Sequence, residues 1–307
     1  MGSSKLLAAI LLPVALLALH SPAMTTAANS NLFREYIGAI FNGVQFSDVP
    51  INPAVQFDFI LAFVIDYTTT TSPPSPTNGQ FEIYWQNTVL TRDAVDTIKQ
   101  SNSNARVAVS LGGATVSGTQ VLFSPSSVDT WVANAVSSLT KIIQDYNLDG
   151  IDIDYEEFQG DEATFAACIG QLVTTLKNNG VIKFASIAPF DNSAVQSHYQ
   201  ALWASYAGVI DYINFQFYAY DASITADEYV SHFNDQIANY PGGNILASFS
   251  TQPDRPTSSI DTALSACQTL QSQGSLYGIF IWVADYSKSQ GFKYETQAQE
   301  LLANASG

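Results

Sequence analysis

The sequence predicts one (β/α)8 barrel, an α/β TIM barrel of parallel strands, and three observations carry that prediction. Short segments rich in Val, Ile, Phe and Ala recur along the chain, apolar on both faces as buried parallel strands are. Amphipathic stretches of helical period lie between them. About 280 residues remain after an N-terminal apolar segment is set aside, a normal size for one barrel that also suits two small domains.

The elements run in order. Lys5 precedes the apolar run Leu6–Leu19, and small residues follow through Ala23–Ala28. A charged start, a core too short to span a bilayer and a small-residue region make a secretory signal peptide. Residues 1–28 are therefore expected to be cleaved within Ala23–Ala28, which leaves 29–307 as the barrel. Strands are expected at Tyr36–Phe41, Phe57–Ile65, Arg106–Leu111, Leu148–Asp154, Lys183–Ala188, Tyr212–Phe217, Ile245–Phe249 and Gly278–Val283. Ser127–Tyr146 is the clearest helix, with Val128, Trp131, Val132, Val136, Leu139, Ile142 and Ile143 at helical spacing. Asp161–Asn178, Ala226–Asn239 and Ser259–Gln271 read likewise, and Trp131 and Trp203 belong to helix patterns that point to the core. Thr68–Gly79 is a long polar loop after the second strand. Either the loop and Trp85 rim the active face or the loop is a surface connection. No composition shift marks a second domain.

Composition narrows the function. The formal net charge of -16 argues against nucleic acid and anionic membrane as partners, and suits a neutral substrate such as a sugar. No segment after the leader is long and apolar enough to cross a membrane. Charged residues make up only 12% of the chain, so the surface should be covered by hydroxyl and amide groups. Cys168 and Cys267 fall in helices about three places apart around the ring, too far for a disulfide, and are expected to be free and buried. His198 and His232 leave no metal-ligand spacing, so no metal or cofactor is expected. Asn304-Ala-Ser is a glycosylation sequon almost at the C-terminus, its use open. Nothing in the sequence demands more than a monomer.

The chemistry gathers in Leu148–Glu156, LDGIDIDYE, where Asp152, Asp154 and Glu156 recur at every second residue. In a β-strand those positions share one face. Buried neighbouring carboxyl groups are costly and raise one another's pKa, so the pattern reads as catalytic acids at a barrel mouth; the competing readings are a solvated edge strand or an acidic metal site. Asp149 reads as a cap or turn residue.

Asp149-Gly-Ile-Asp-Ile-Asp-Tyr-Glu156 matches the DGxDxDxE signature of glycoside hydrolase family 18. Ser110-Leu-Gly-Gly113 is similar to the family's third-strand SxGG motif, Gln216-Phe-Tyr218 to its sixth-strand QFY motif, and Trp282 to the tryptophan that floors the central sugar subsite. These motifs end strands three, four, six and eight, and the resemblance covers essentially the whole mature chain. The opening REYIGAIFNG and the FDFILAF strand resemble the plant bulb-chitinase and narbonin-like branch. The resemblance implies non-proline cis peptides at Ala62–Phe63 and Trp282–Val283.

Two carboxylates usually straddle the bond in glycoside hydrolysis, but Asp154 and Glu156 lie about 6.6 Å apart along one strand and face the same way. That geometry suits a substrate whose 2-acetamido oxygen is the nucleophile, and so favours chitin-type polymers of N-acetylglucosamine with retention of configuration. Glu156, nearest the mouth, is the expected general acid and base, with a raised pKa. Asp154 is expected to hold the acetamido N–H, and Asp152 to share a proton with Asp154. Tyr218 should donate to the acetamido oxygen, with Gln216 a second candidate donor. Trp282 stacks a sugar or is simple core. Gly112 and Gly113 allow close packing and close approach of the carbohydrate. The resemblance implies a chitinase in the secretory pathway, extracellular or vacuolar, with defence against fungi as its purpose. An endo-β-N-acetylglucosaminidase, or a silent storage protein, lectin or inhibitor on the same barrel, are the alternatives.

Overall fold

A computed structural model describes residues 28–253 and 259–304; the predicted leader, apart from Ala28, lies outside them. Eight parallel strands of the described residues build the barrel: β1 (Leu32–Ile37), β2 (Gln56–Ile65), β3 (Ala105–Gly112), β4 (Gly150–Asp154), β5 (Phe184–Ile187), β6 (Tyr212–Ile213), β7 (Ala247–Ser250) and β8 (Gly278–Trp282), and the two-residue strand Glu82–Ile83 pairs antiparallel with β2. Each of the eight pairs in parallel with its neighbours in chain order, and β8 pairs with β1. A parallel bridge from Ile213 to Ile245 joins β6 to the β7 segment and closes the ring. The helices are α1 (Arg92–Ser101), α2 (Val128–Asp145), α3 (Glu162–Asn178), α4 (Ser193–Tyr206), α5 (Ala226–Asn239), α6 (Ile260–Ser272), the short α7 (Ala284–Ser287) and α8 (Lys293–Ala303). Between β1 and β2 there is only a 3-10 turn, Phe46–Asp48.

Local chemistry explains the boundaries. Thr91, Ser127, Asp161, Asn192, Thr225 and Ser259 each accept a backbone N–H of the first turn of α1 to α6, satisfying donors that a helix start leaves open. The strands are apolar on both faces because both faces are buried. Phe57, Phe59 and Leu61 of β2 join the large layer between sheet and helices, while Ile60 and Ala62 join a smaller cluster inside the barrel with Tyr36, Tyr218, Leu246 and Phe280.

Three expectations need correction. The first strand begins four residues earlier than expected, because Arg34 and Glu35 look like loop residues yet are fully buried. Arg34 turns into the barrel, where it pairs with Asp58 at 3.2 Å and donates to Asn214 Oδ1 at 2.9 Å; Glu35 turns outward against α8. The sixth strand is shorter than expected, since the chain turns at Gln216 into a 3-10 turn, Phe217–Ala219. Trp85 is no rim residue: it is 1% exposed, packs edge-on against Tyr146, and donates from its indole to Leu90 O at 3.2 Å.

Other expectations hold. Trp131 and Trp203 are buried on α2 and α4. Cys168 and Cys267 are free and buried, and burial pushes both thiols up to about 12. The Ala62–Phe63 and Trp282–Val283 peptides are cis. Asp149 is structural. It ends the bottom of β4 in ion pairs with Lys99 at 2.9 Å and Lys183 at 2.8 Å, and accepts the Val107 amide. Burial alone would raise its pKa, but the bonds from Lys183, Lys99 and Val107 outweigh it and hold the carboxyl below its usual range.

Candidate active site

The inward faces of the strands stack polar residues in layers. At the bottom, Asp58 is held between Arg34 and Arg106, a buried cluster of opposite charges. Above it lies Asp152, fully buried, with two donors on each oxygen. Tyr36 Oη and Ser110 Oγ each donate to Oδ2 at 2.7 Å. Ser186 Oγ donates to Oδ1 at 2.6 Å and Asn214 Nδ2 at 2.9 Å. The register explains the convergence: Ser110 on β3 and Ser186 on β5 are the direct partners of Asp152 on β4. Burial, then the charges of Asp152 and Asp154, push the Tyr36 phenol well up, so it stays a donor.

The next layers rise toward the C-terminal ends of the strands. Asp154 is the last residue of β4 and is 4% exposed. Glu156 stands two residues beyond the strand end and is half-buried. Burial thus falls from Asp152 to Glu156, as the alternate spacing on one strand face predicted. The strand end is pinned from behind. Tyr155 Oη donates to Asp66 at 2.7 Å, and Tyr199 Oη lies 3.1 Å from both Ile153 O and Tyr155 O. Burial raises the Asp66 pKa even though Tyr155, Trp131 and the Gly79 amide donate to it.

A cavity of about 590 Å³ opens over this end of the barrel. Asp154, Glu156, Gln216, Tyr218 and Trp282 all line it, so five of the residues singled out in the sequence meet at one surface. Asp152 lies beneath. Asp154 and Glu156 are the only acids in its described lining, and none of that lining comes from the Thr68–Gly79 loop. That loop folds back on its own strand, with Thr77 N donating to Asp66 O at 2.8 Å and Thr69 Oγ1 to Glu82 at 2.6 Å. Trp282 stacks on Phe63 with centroids 5.9 Å apart and meets Tyr36 edge-on. Among the described residues no group of three His, Cys, Asp or Glu is arranged to hold a metal ion.

Two residue types sit differently from expectation. Gln216 donates through Nε2 to Asp154 Oδ1 at 3.0 Å and to Ala188 O at 2.9 Å. Both amide protons are thereby engaged, and Gln216 orients Asp154 rather than offering a second donor to a ligand. Gly112 and Gly113 do not line the cavity; Ala114 and Thr115 do. Both glycines have positive φ, and a Cβ would meet Asp154 O at 3.0 Å from Gly112 and the Phe63 ring at 2.8 Å from Gly113. Their role here is close packing of β3 against β4 and Phe63. The sequence reading missed Tyr36, Ser186 and Asn214 under Asp152, and Phe63, Tyr84, Gln252 and Tyr286 on the wall. The signal for the first group was present: polar side chains on the inward face of otherwise apolar strands.

Comparison with known proteins places this geometry. The family model described as "Glycosyl hydrolases family 18" matches residues 45–289. Chitinase 1 of Tulipa saxatilis subsp. bakeri is 54% identical over 289 residues, spanning 94% of this chain and 91% of that protein. The catalytic domain of a family GH18 chitinase from the fern Peteris ryukyuensis superposes with a TM-score of 0.84 at 57% identity, over 89% of this chain and 99% of that one. The family 18 chitinase of Crocus vernus superposes with a TM-score of 0.86 at 52% identity, over the same shares of each chain. With the barrel, the inward-facing acids of β4 and these matches across nearly the whole length, the chain belongs to glycosyl hydrolase family 18.

Proposed function

We propose that the protein is an endo-acting chitinase, hydrolysing β-1,4 bonds between N-acetylglucosamine units with retention of configuration. One observation carries the mechanism: the described cavity wall holds two acids, both from the end of β4, and among the described residues no carboxylate of that lining faces them. A two-carboxylate displacement needs such a partner. With none, the nucleophile comes from the substrate, and a 2-acetamido oxygen is suitably placed on N-acetylglucosamine.

In this reading Glu156, at the mouth, protonates the glycosidic oxygen and then, as base, activates water. Asp154, oriented by Gln216, accepts the acetamido N–H and stabilises the oxazolinium-like intermediate. Asp152, held by its four donors, supports Asp154 from below. Tyr218 donates to the acetamido oxygen, and Trp282 forms the floor on which the sugar stacks. The high identity to plant chitinases over nearly their full length favours this substrate over N-glycans and over a silent barrel. Residues 1–28 direct the chain into the secretory pathway, to an extracellular or vacuolar site, and defence against chitin-walled organisms is the purpose that fits. The protein works as a monomer.

Hydrolysis of a soluble chitin oligosaccharide, with product anomers followed by NMR, tests the reading. The wild type should release the β-anomer first. Glu156→Gln should reduce kcat by about 10²-fold to 10⁴-fold, the range for loss of a general acid. Initial α-anomer, or full activity in Glu156→Gln, would overturn the mechanism; binding without cleavage by the wild type would overturn the hydrolase.

A further inference from the structure

Asp154 is fixed by strand pairing, but Glu156 stands two residues past the end of β4, outside its ladder. A general acid must still be held to a fraction of an ångström to act. Before Glu156 the chain is anchored by Tyr155, whose hydroxyl donates to Asp66 at 2.7 Å. After it, Phe123 N donates to Glu157 O at 2.8 Å, and the amides of Gln159 and Gly160 donate to Phe123 O at 2.9 Å and 3.1 Å.

A further anchor comes from α4, through a buried titratable group that the reaction does not use. His198 is 7% exposed. Its Nε2 lies 3.0 Å from Gly160 O and its Nδ1 lies 2.6 Å from Ala194 O. Both are carbonyl acceptors, so the neutral ring donates to one of them and the protonated ring to both. The ring stacks on Phe158 with centroids 3.9 Å apart and planes 14° apart, and it meets Phe165 of α3 edge-on at 5.8 Å. His198 thus grips the chain at the second and the fourth residue after Glu156. Packing alone does not call for a histidine here. A phenylalanine would fill the space between Phe158 and Phe165 without bringing polar nitrogens into a buried place. What the imidazole adds is the bond to Gly160 O.

We propose that His198 is a positioning residue: its bond to Gly160 and its stack on Phe158 fix the far side of the segment that carries Glu156, as Asp66 fixes the near side through Tyr155. The proposal rests on the reading of Glu156 as the general acid. His198 is not in the described lining of the cavity, so it reaches the reaction through the place of Glu156. Its loss should therefore slow the chemical step and leave substrate binding nearly intact.

Kinetics on a soluble chitin oligosaccharide, with kcat taken per folded molecule, test this. His198→Phe keeps the stack and removes the bond, while His198→Gln returns an amide N–H near the place of Nε2. His198→Phe should lower kcat about 10-fold to 10²-fold with KM changed by less than about twofold, the pattern of a misplaced catalytic group. His198→Gln should recover most of that loss. Deuterium exchange of the amides in Glu156–Gly160, read by mass spectrometry, should be faster in His198→Phe than in the wild type. If His198→Phe does not fold, His198→Asn takes its place with the same expected loss, since its shorter amide falls near Nδ1 and does not reach Gly160 O. Unchanged kcat, an equal loss with His198→Gln, or a rise in KM without a fall in kcat would overturn the positioning role. If the wild type cleaves nothing, the hydrolase reading falls and exchange decides the anchor: faster exchange confined to this segment keeps it, and unchanged exchange overturns it.

Discussion

Tyr36 and Glu35 are neighbours on β1, and they serve two buried carboxyl sites of opposite character. Tyr36 faces into the barrel and donates to Asp152, whose oxygens take four donors in all. Glu35 faces outward, fully buried, against Glu295 of α8. Apart from each other, none of the four oxygens of Glu35 and Glu295 has a hydrogen-bond partner among the described residues. Burial, then the charge of Glu295 and the bond to it, then the charge of Asp285, push the Glu35 carboxyl well above its usual range. Neutral donors hold a carboxyl group that the site needs; burial beside a second carboxyl group raises the pKa of one that only packs. At the foot of β4, Asp149 shows a third solution, full pairing with cations.

The sharpest break is Asp152→Asn. Its amide would point N–H groups at a cradle of donors, and kcat should fall about 10²-fold to 10³-fold, with lower thermal stability, measured on a soluble oligosaccharide and by calorimetry.

Glu295→Gln tests the other half of the comparison. Glu35 has a raised folded pKa, so its protonated carboxyl contributes stability that is fully present below the unfolded value of about 4.3 and is lost as pH rises through the folded value. The variant keeps a neutral group at every pH. It should be more stable than wild type at pH 7 by about 1–3 kcal/mol and should show a shallower decline in Tm between pH 4 and pH 8, the part caused by burial of Glu35 remaining, read from thermal melts across that range.

Asp149→Asn should show the opposite slope. Its folded pKa is depressed, so its stability is present above the unfolded value of about 3.9 and is lost as pH falls through the folded value. Replacement should cost about 1–3 kcal/mol at pH 7, and less at pH 3, by denaturant titration.

Ser186→Ala removes one of the four donors from Asp152 and should have the smallest effect, a fall in kcat of less than about tenfold with KM little changed. A larger fall than that of Asp152→Asn would show that the serine acts beyond the cradle.

Much of the barrel was legible because its strands are short, apolar and regularly spaced, and because apolar residues at helical spacing mark α2, α3, α5 and α6 between them. The shifted β1 was not, since charged Arg34 and Glu35 are buried only because Asp58, Asn214 and Glu295 come from distant parts of the chain to meet them. The same holds for Trp85, which is covered by Tyr146 from a distant part of the chain while its indole donates nearby to Leu90 O.

By itself the sequence determined the alternation that puts Asp152, Asp154 and Glu156 on one strand face, because side-chain direction in a strand depends only on local backbone geometry. It also determined which segments can be buried on both faces. Only the tertiary structure decided what each polar group meets: that Gln216 turns to Asp154, that Gly112 and Gly113 serve packing, that Tyr36, Ser110, Ser186 and Asn214 converge on one carboxylate. Hydrogen-bond partners across a barrel are set by strand register and closure, which join residues far apart in sequence, Arg34 and Asn214 by 180 positions and Gly38 and Asp285 by 247, and no local pattern records them.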